Sequence, residues 1–441
     1  MVRKAILINQ TIAPARKTPR LAGLPLLLRA ALSAQRAGVE ELLVVGGDDP
    51  EPLLARDPRL HLAWGWIPVP GTGESEMDAL RAAAGRVDSD FLLLFADSIF
   101  EARAAEALAA APLEERLLLA ARPADTPEEL EPARASLYLC SSRLFSAAET
   151  ASVARVASLY TRLRAENRSA GVALDARLWP RTTEPDQLRA VYRELAQAKL
   201  KPWDGLHARF NKLVLAEPLL RLFLRTPASA NFVTFLGLVF GVASGIAFAQ
   251  GGYRWGLAAA ALAFVSSMMD NLDGMVARLK MQESEFGVWF ESAVDYASYF
   301  CMFVGLAVGL YRETGERHHL FVGALFVLAA VISFVLQSRQ RRQVSGDNPA
   351  DFARRIYHKL DQRDSNFFHW FARKFHFLTR RAVLPYYILL FCLLNLRVLL
   401  LGWVTFGANL VWILTLYNNR LLSSSHAKPS ERAPRAPAEA D

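Results

Sequence analysis

From residue 231 to residue 417 the chain runs through six apolar stretches, at 231–249, 254–275, 287–311, 319–337, 382–397 and 400–417. A helix needs about 20 apolar residues to cross the hydrocarbon core of a bilayer. The pattern therefore predicts an all-α membrane domain of six transmembrane helices, the fifth short and the last two close together. An even number of crossings leaves both ends on one side. The loop 338–381 carries eleven Lys or Arg against four Asp, including the R-x-R-R run at 339–342. Such an excess marks the cytoplasmic face. The net charge of +8 is read the same way, as cytoplasmic loops and anionic-lipid contact rather than nucleic-acid binding.

Residues 1–200 have a different texture, with mixed charge and short apolar runs. KAILINQ (4–10), ELLVVGG (41–47) and FLLLFAD (91–97) read as buried strands, and RLLLAAR (116–122) and SLYLC (136–140) as two more. Between them, LLLRAALSAQRAG (26–38) has helical spacing with Gly38 as a stop, and 76–86 is helix-like. Nearly all-apolar strands alternating with helices predict an α/β domain whose parallel or mixed sheet is covered on both faces. Asp97 ends a strand, where open α/β sheets bind ligands. It could hold a divalent metal there, although position alone favours a strand-terminal cap or turn residue. MVRKAILIN turns polar without the apolar core or cleavage site of a signal peptide, so this domain is expected in the cytoplasm. Cys140, Cys301 and Cys392 lie too far apart to form a metal or redox motif.

Residues 201–230 join the two regions. Leu206, Phe210, Leu213, Leu220, Leu222 and Phe223 alternate with Arg209, Lys212, Arg221 and Arg225, the pattern of a basic amphipathic helix lying at a membrane surface. Another helix is expected over 185–199. The tail 421–441, rich in Pro, Ala and charge, is expected to be disordered.

The most informative residues are acidic ones set among the apolar stretches. Asp270 and Asp273 are three apart, so they share one face of a helix, which Ala277 continues. Gly287, Glu291 and Asp295 recur every four residues on the next helix. Gly274 lacks a Cβ and leaves room for a ligand against the backbone, and Arg278 offers a fork for phosphate. Carboxylates at membrane depth are costly, and four together repel. Bound cations relieve that repulsion, and hard oxygen ligands suit Mg2+ or Mn2+. Buried ion pairs, or the acids of a cation channel or transporter, are the competing readings. The first is short of basic partners and the second of polar residues on the other helices.

These residues form the pattern D-x2-D-G-x2-A-R-x8-G-x3-E-x3-D. It resembles the motif of the CDP-alcohol phosphotransferase (CDP-alcohol phosphatidyltransferase) family, with Glu291 where the last but one aspartate is usual. Thr226-Pro227 with Asn231 and Thr234 is similar to that family's entry to the first spanning helix. The resemblance implies a metal-dependent transferase that moves a phosphoryl-alcohol group from a CDP-alcohol to the hydroxyl of a second alcohol and releases CMP. It implies that Asp270, Asp273, Glu291 and Asp295 hold two ions, and that Gly274, Ala277, Arg278 and Gly287 line the cytidine diphosphate pocket. Asp295 is the implied general base. The partners implied are a CDP-alcohol donor, an alcohol or alcohol-phosphate acceptor, the lipid bilayer and, since family members are often dimers, a second copy. The expected location is the cytoplasmic membrane, with the N-terminal domain and the tail inside. CDP-diacylglycerol with a soluble acceptor and a soluble CDP-alcohol with a lipid acceptor both remain open.

The first 200 residues resemble the sugar-phosphate nucleotidyltransferases, as fused in some inositol-phosphate phospholipid enzymes, through Leu21–Leu26, Ala37–Val45 and Phe95–Phe100. Lys201 and Trp203-Asp204-Gly205 resemble the junction of those fusions. The family's glycine-rich phosphate loop is replaced by NQTIAPARK (Asn9–Lys17), where only Arg16 and Lys17 offer charge. Arg181 stands where a second metal aspartate belongs in WPRTTEPD (Trp179–Asp186). The resemblance with these departures implies a retained fold without nucleotidyl transfer. A bifunctional enzyme that also makes the CDP-alcohol, and a non-catalytic membrane scaffold, are the alternatives.

Overall fold

The computed structural model describes residues 2–9, 20–69, 75–123, 137–146, 153–174, 185–198, 210–211, 216–344 and 383–426. The loop after Asn9, most of Trp179–Asp186, the junction 201–205, and the basic loop beyond Val344 with His358, His369 and His376 lie outside these residues. So does the tail after His426. The chain divides into two compact units. One is residues 1–199 with the short pieces 224–226 and 279–281, and the other is the remainder.

The first unit is built on a mixed sheet. Its strands are β1 (Lys4–Ile8), β4 (Glu41–Val45), β5 (Ala63–Ile67), β6 (Phe91–Phe95), β7 (Leu118–Pro123), β8 (Leu137–Cys140) and β9 (Ser169–Leu174), and a two-stranded hairpin adds β2 (Arg20–Leu21) and β3 (Leu24–Pro25). The main sheet runs β5-β4-β1-β6-β8-β7-β9. β1 pairs in parallel with β4 and β6, whereas β8 is antiparallel to both its neighbours. Alternation at period two explains why these strands read as continuous apolar runs. Ala5, Leu7, Leu92 and Leu94 face one core with α1 (Leu26–Arg36). Ile6, Ile8, Phe91, Leu93 and Phe95 face the other, with Met77 and Leu80 of α3 (Glu76–Ala83). The hairpin turns at Ala22 and Gly23, both at positive φ, as a two-residue turn with this twist requires.

The hairpin strands β2 and β3, two strands of the main sheet and three helices of this unit go beyond the sequence reading. β5 is the sequence AWGWI at a sheet edge, half-buried, with a glycine at its centre. β9 is interrupted by Gly171. Neither is a clean apolar run. The short α2 (Glu51–Leu54), with α4 (Ala102–Ala109) and α5 (Val156–Ala165), supplies the extra helices.

α6 (Pro185–Ala198) occupies the stretch read as a helix, and of the amphipathic segment the described helix is α7 (Glu217–Arg225). The second unit then contains α8 (Ala230–Ala249), α9 (Tyr253–Leu279), α10 (Glu285–Thr314), α11 (His318–Val344), α12 (Leu384–Leu393) and α13 (Arg397–His426). The last of these continues past Arg420 into the segment expected to be disordered. Among the described residues, three helices are long and apolar enough to cross a membrane, over Ala230–Ala249, Glu285–Thr314 and His318–Leu336. Leu384–Leu393 and Arg397–Ile413 are apolar but shorter. α9 has the length, but Asp270, Asn271, Asp273 and Arg278 interrupt its apolar character.

α8 and α10 meet backbone to backbone. A Cβ on Gly305 would collide with the carbonyl of Gly245, and one on Gly309 with the carbonyl of Phe248. Gly241 sits 2.6 Å, measured from its would-be Cβ, from Ser298 Cβ. Small residues at four-residue spacing allow this approach between helices that have little hydrophobic drive to associate in lipid. The seam fixes α10 against α8, and α10 carries half of the acidic residues.

Candidate active site

The α9–α10 connection is short and tightly specified. α9 ends with Met281 at φ 56, and the amide of Gln282 donates to the carbonyl of Ala277 at 2.7 Å. This six-to-one bond closes a Schellman turn, here without the usual glycine. Ser284 caps α10, its Oγ accepting from the amide of Gly287 at 3.0 Å. The side-chain oxygen of Gln282 accepts from the amide of Ala230 at 3.2 Å, tying the start of α8 to the same corner. Three helix ends are thereby held together next to the acids.

Asp270, Asp273 and Glu291 each present a carboxylate oxygen, and these oxygens lie within 4.8 Å of one another. At that separation, with an effective dielectric constant of about 20, each like-charge pair repels by about 3 to 4 kcal/mol. Asp273 is the most enclosed, 4% exposed, with Asp270 and Glu291 half-buried. Its Oδ2 accepts from Thr234 Oγ1 at 2.7 Å and its Oδ1 from the amide of Gly274 at 2.5 Å. Each oxygen keeps a second lone pair for a cation. An octahedral Mg2+ with bonds of about 2.1 Å needs ligand oxygens about 3 to 4 Å apart. The three carboxylates approach that span with little adjustment, and the all-oxygen donor set fits a hard divalent ion.

Asp295 is placed differently from the other acids. It lines a cavity with Asp270, one turn of α10 beyond Glu291, and is not part of the three-carboxylate group. Ser266, Ser267, Ser298 and Tyr299 add polar wall to this cavity, and Pro385 and Ile388 of α12 close it with apolar surface. Asp270 thus belongs both to the acid cluster and to the cavity.

Gly274 serves a neighbour in its own chain. The Arg278 guanidinium lies over it, with Nη1 3.1 Å and Nη2 3.5 Å from where a Cβ would stand. The space expected for a ligand is occupied by the arginine one turn on. Ala277 is half-buried beside it. Gly287 sits 3.4 Å, at its would-be Cβ, from Asn231 Oδ1. Thr234, known from the sequence only as part of a helix-entry pattern, turns out to anchor Asp273. No local signal showed this, because the two residues are 39 apart.

In the first unit Asp97 follows β6, where Ala96 donates to the carbonyl of Ile8. Among the described residues it belongs to no group of three acid, histidine or cysteine side chains able to share an ion. Gly46 and Gly47 adopt positive φ at the neighbouring end of β4.

An acid cluster between two long helices, in a unit whose described residues include three helices long and apolar enough to cross a membrane, defines a membrane-associated, metal-dependent enzyme. Residues 228–412 match the CDP-alcohol phosphatidyltransferase family, so the chain carries a C-terminal domain of that family. Its reaction is the transfer of a phosphoalcohol group from a CDP-alcohol. No curated protein matches the chain. Among solved structures, the inositol-1-phosphate CTP transferase from T. maritima is similar at 16% identity, with 44% of this chain and 94% of that chain covered and a TM-score of 0.34. HddC from Yersinia pseudotuberculosis is similar at 10% identity, with 43% and 98% covered and a TM-score of 0.34.

Proposed function

We propose that the helical unit transfers a phosphoryl-alcohol group from a CDP-alcohol to the hydroxyl of an alcohol or alcohol phosphate at the cytoplasmic face of the membrane, in phospholipid or polyol phosphodiester synthesis. The observation that carries this reading is the convergence of Asp270, Asp273 and Glu291 from two helices, next to a cavity shared by Asp270 and Asp295.

Asp270, Asp273 and Glu291 would hold divalent ions, Mg2+ or Mn2+, and Asp295, which lines a cavity with Asp270, would be a further carboxylate for a second ion. Bound there, the ions supply charge neutralisation for the diphosphate and for the departing CMP oxygen. Thr234 keeps the Asp273 carboxylate turned toward the cluster. Arg278, held over Gly274, presents its guanidinium to a phosphate oxygen, and Ala277 and Gly287 leave the helix surfaces low enough for the cytidine diphosphate to lie against them. The acceptor hydroxyl enters from the cavity, and Asp295 takes its proton as the oxygen attacks phosphorus. Glu291 carries its carboxylate one methylene farther than aspartate would, which preserves the charge while changing the angle of approach to an ion.

The described helices α8 to α13 are read as six crossings, with both ends and the 338–381 loop cytoplasmic, and the unit as one half of a homodimer. The first unit is read as a nucleotidyltransferase-like domain that no longer transfers nucleotide. Its support is the mixed α/β sheet with Asp97 at a strand end, set against Arg181 and the glycine-free Asn9–Lys17 segment in the sequence.

The test uses purified full-length chain in detergent with labelled CDP-diacylglycerol or soluble CDP-alcohols, Mg2+ or Mn2+, and a panel of alcohols and alcohol phosphates. Metal-dependent CMP release with one donor–acceptor pair is expected, and no release with any pair would refute the reading. In parallel, CTP and phosphorylated polyols should yield no pyrophosphate. Sustained pyrophosphate release would make the protein bifunctional instead.

A further inference from the structure

Far from the acid cluster, the turn between α10 and α11 gathers another set of ligating side chains. Glu316 lies 25 residues beyond Glu291, so about 37 Å of helix rise separates the two places. α10 ends at Gly315, which adopts φ 74 and lets the chain reverse, its amide donating to the carbonyl of Tyr311 at 2.8 Å. The amide of Glu316 donates to Thr314 Oγ1 at 3.2 Å, and that of His319 to the carbonyl of Glu316 at 3.3 Å. The turn is held at both ends by its own hydrogen bonds.

Within it, Glu316 Oε2 stands 3.0 Å from His318 Nδ1 and 3.8 Å from His319 Nε2. One ligand atom from each of the three residues lies within 4.8 Å of the other two. The imidazole rings are 3.9 Å apart between centroids and tilted by 51°. His319 is 3% exposed, and its Nε2 is buried without a hydrogen-bond partner, the carboxylate being too distant for one. Burying a ring nitrogen that makes no hydrogen bond is costly. A buried Nε2 beside a carboxylate and a second imidazole is arranged for a shared ligand.

We propose that Glu316, His318 and His319 form a binding site for a divalent transition-metal ion of the zinc class, separate from the acid cluster of the transferase site. Two imidazole nitrogens and one carboxylate oxygen are borderline-soft donors, suited to Zn2+ and poorly suited to Mg2+. A Zn2+ ion with bonds of about 2.0 to 2.2 Å places tetrahedral ligand atoms about 3.3 Å apart, close to the two separations already present. Water fills the remaining position, since Glu316 and His318 are open to solvent. The positive end of the α11 dipole opposes the ion only weakly beside three direct bonds. The ion clips the end of α10 to the start of α11 and satisfies the buried nitrogen of His319.

The full-length chain in detergent, kept in excess Mg2+ so that the acid cluster is occupied, is titrated with Zn2+ by calorimetry and with Co2+ by its visible absorption. One ion per chain should bind, with a Co2+ spectrum typical of mixed nitrogen and oxygen donors. His318→Ala and Glu316→Gln, both at exposed positions, should each weaken binding by at least about tenfold, while CMP release and the fold are retained. Thermal midpoint measured with and without Zn2+ should rise in the parent chain and not in these variants. Absence of binding in excess Mg2+, undiminished binding in both variants, or loss of the ion only in Asp270→Asn would each overturn the assignment.

Discussion

Asp97 in the α/β unit and Asp270 in the helical unit are both carboxylates at the end of a buried apolar segment, yet they stand in different company. Asp97 leaves β6 with no second and third ligand gathered near it among the described residues, whereas Asp270 has Asp273 on its own helix and Glu291 across from it. A strand end offers one side chain to a ligand, so a site there has to be assembled from several loops. A pair of packed helices offers residues at three- and four-residue spacing from two directions, and one tight turn places both faces. The difference teaches why, among the described residues, three carboxylates able to share an ion gather within 270–295 and none gathers at the end of β6.

The contrast is broken most directly at the acid cluster. Asp270→Asn should lower metal-dependent CMP release by at least about 10³-fold, because several kcal/mol of charge stabilisation are lost. Chelation of divalent ions should do the same to the parent chain. A rate within a few-fold of the parent in either experiment would remove the metal from the reaction. Asp295→Asn should follow, with turnover reduced about 10² to 10⁴-fold and donor binding retained when measured by calorimetry. If binding fell along with turnover, the part Asp295 plays in holding an ion would account for the loss, and the base assignment would lose its support.

Thr234→Val sharpens the comparison at a smaller scale. It removes the hydrogen bond to Asp273 with little change of shape, and should raise the metal concentration for half-maximal activity about 10 to 100-fold, with the maximal rate near the parent value. An unchanged metal requirement would reduce Thr234 to a packing residue. At the other end of the scale, Asp97→Asn should leave CMP release unchanged in the same assay. A clear loss would show that the strand-end acid does contribute to the reaction.

How much of this was legible in the sequence follows from the same physics. Asp270, Asp273 and Glu291 could be placed together because helical periodicity is rigid and the turn between the helices is short. The central strands were legible because a sheet covered on both faces demands apolar residues at every position, as in FLLLF of β6. β5 escaped because an edge strand with Gly65 and half-buried tryptophans carries no such run. The antiparallel direction of β8 leaves no mark in its four residues. Contacts between distant positions were the least accessible. Thr234 with Asp273, Arg278 over Gly274, and His319 beside Glu316 depend on side-chain geometry, and in the first case on packing across helices. Asp295 shows the limit of spacing itself. Four residues after Glu291 it shares a helix face, yet one turn of rise moves it from the cluster to the cavity wall.

The seam between α8 and α10 has a consequence for how such a chain can vary over time. At Gly245, Gly305 and Gly309 a new side chain would strike main-chain carbonyl or glycine atoms, and no replacement elsewhere can make a peptide group smaller. Compensation, the usual escape route for a substitution in a packed interior, is closed along that line. Change is thereby steered to the serines and apolar residues that line the cavity, where partners can change size together.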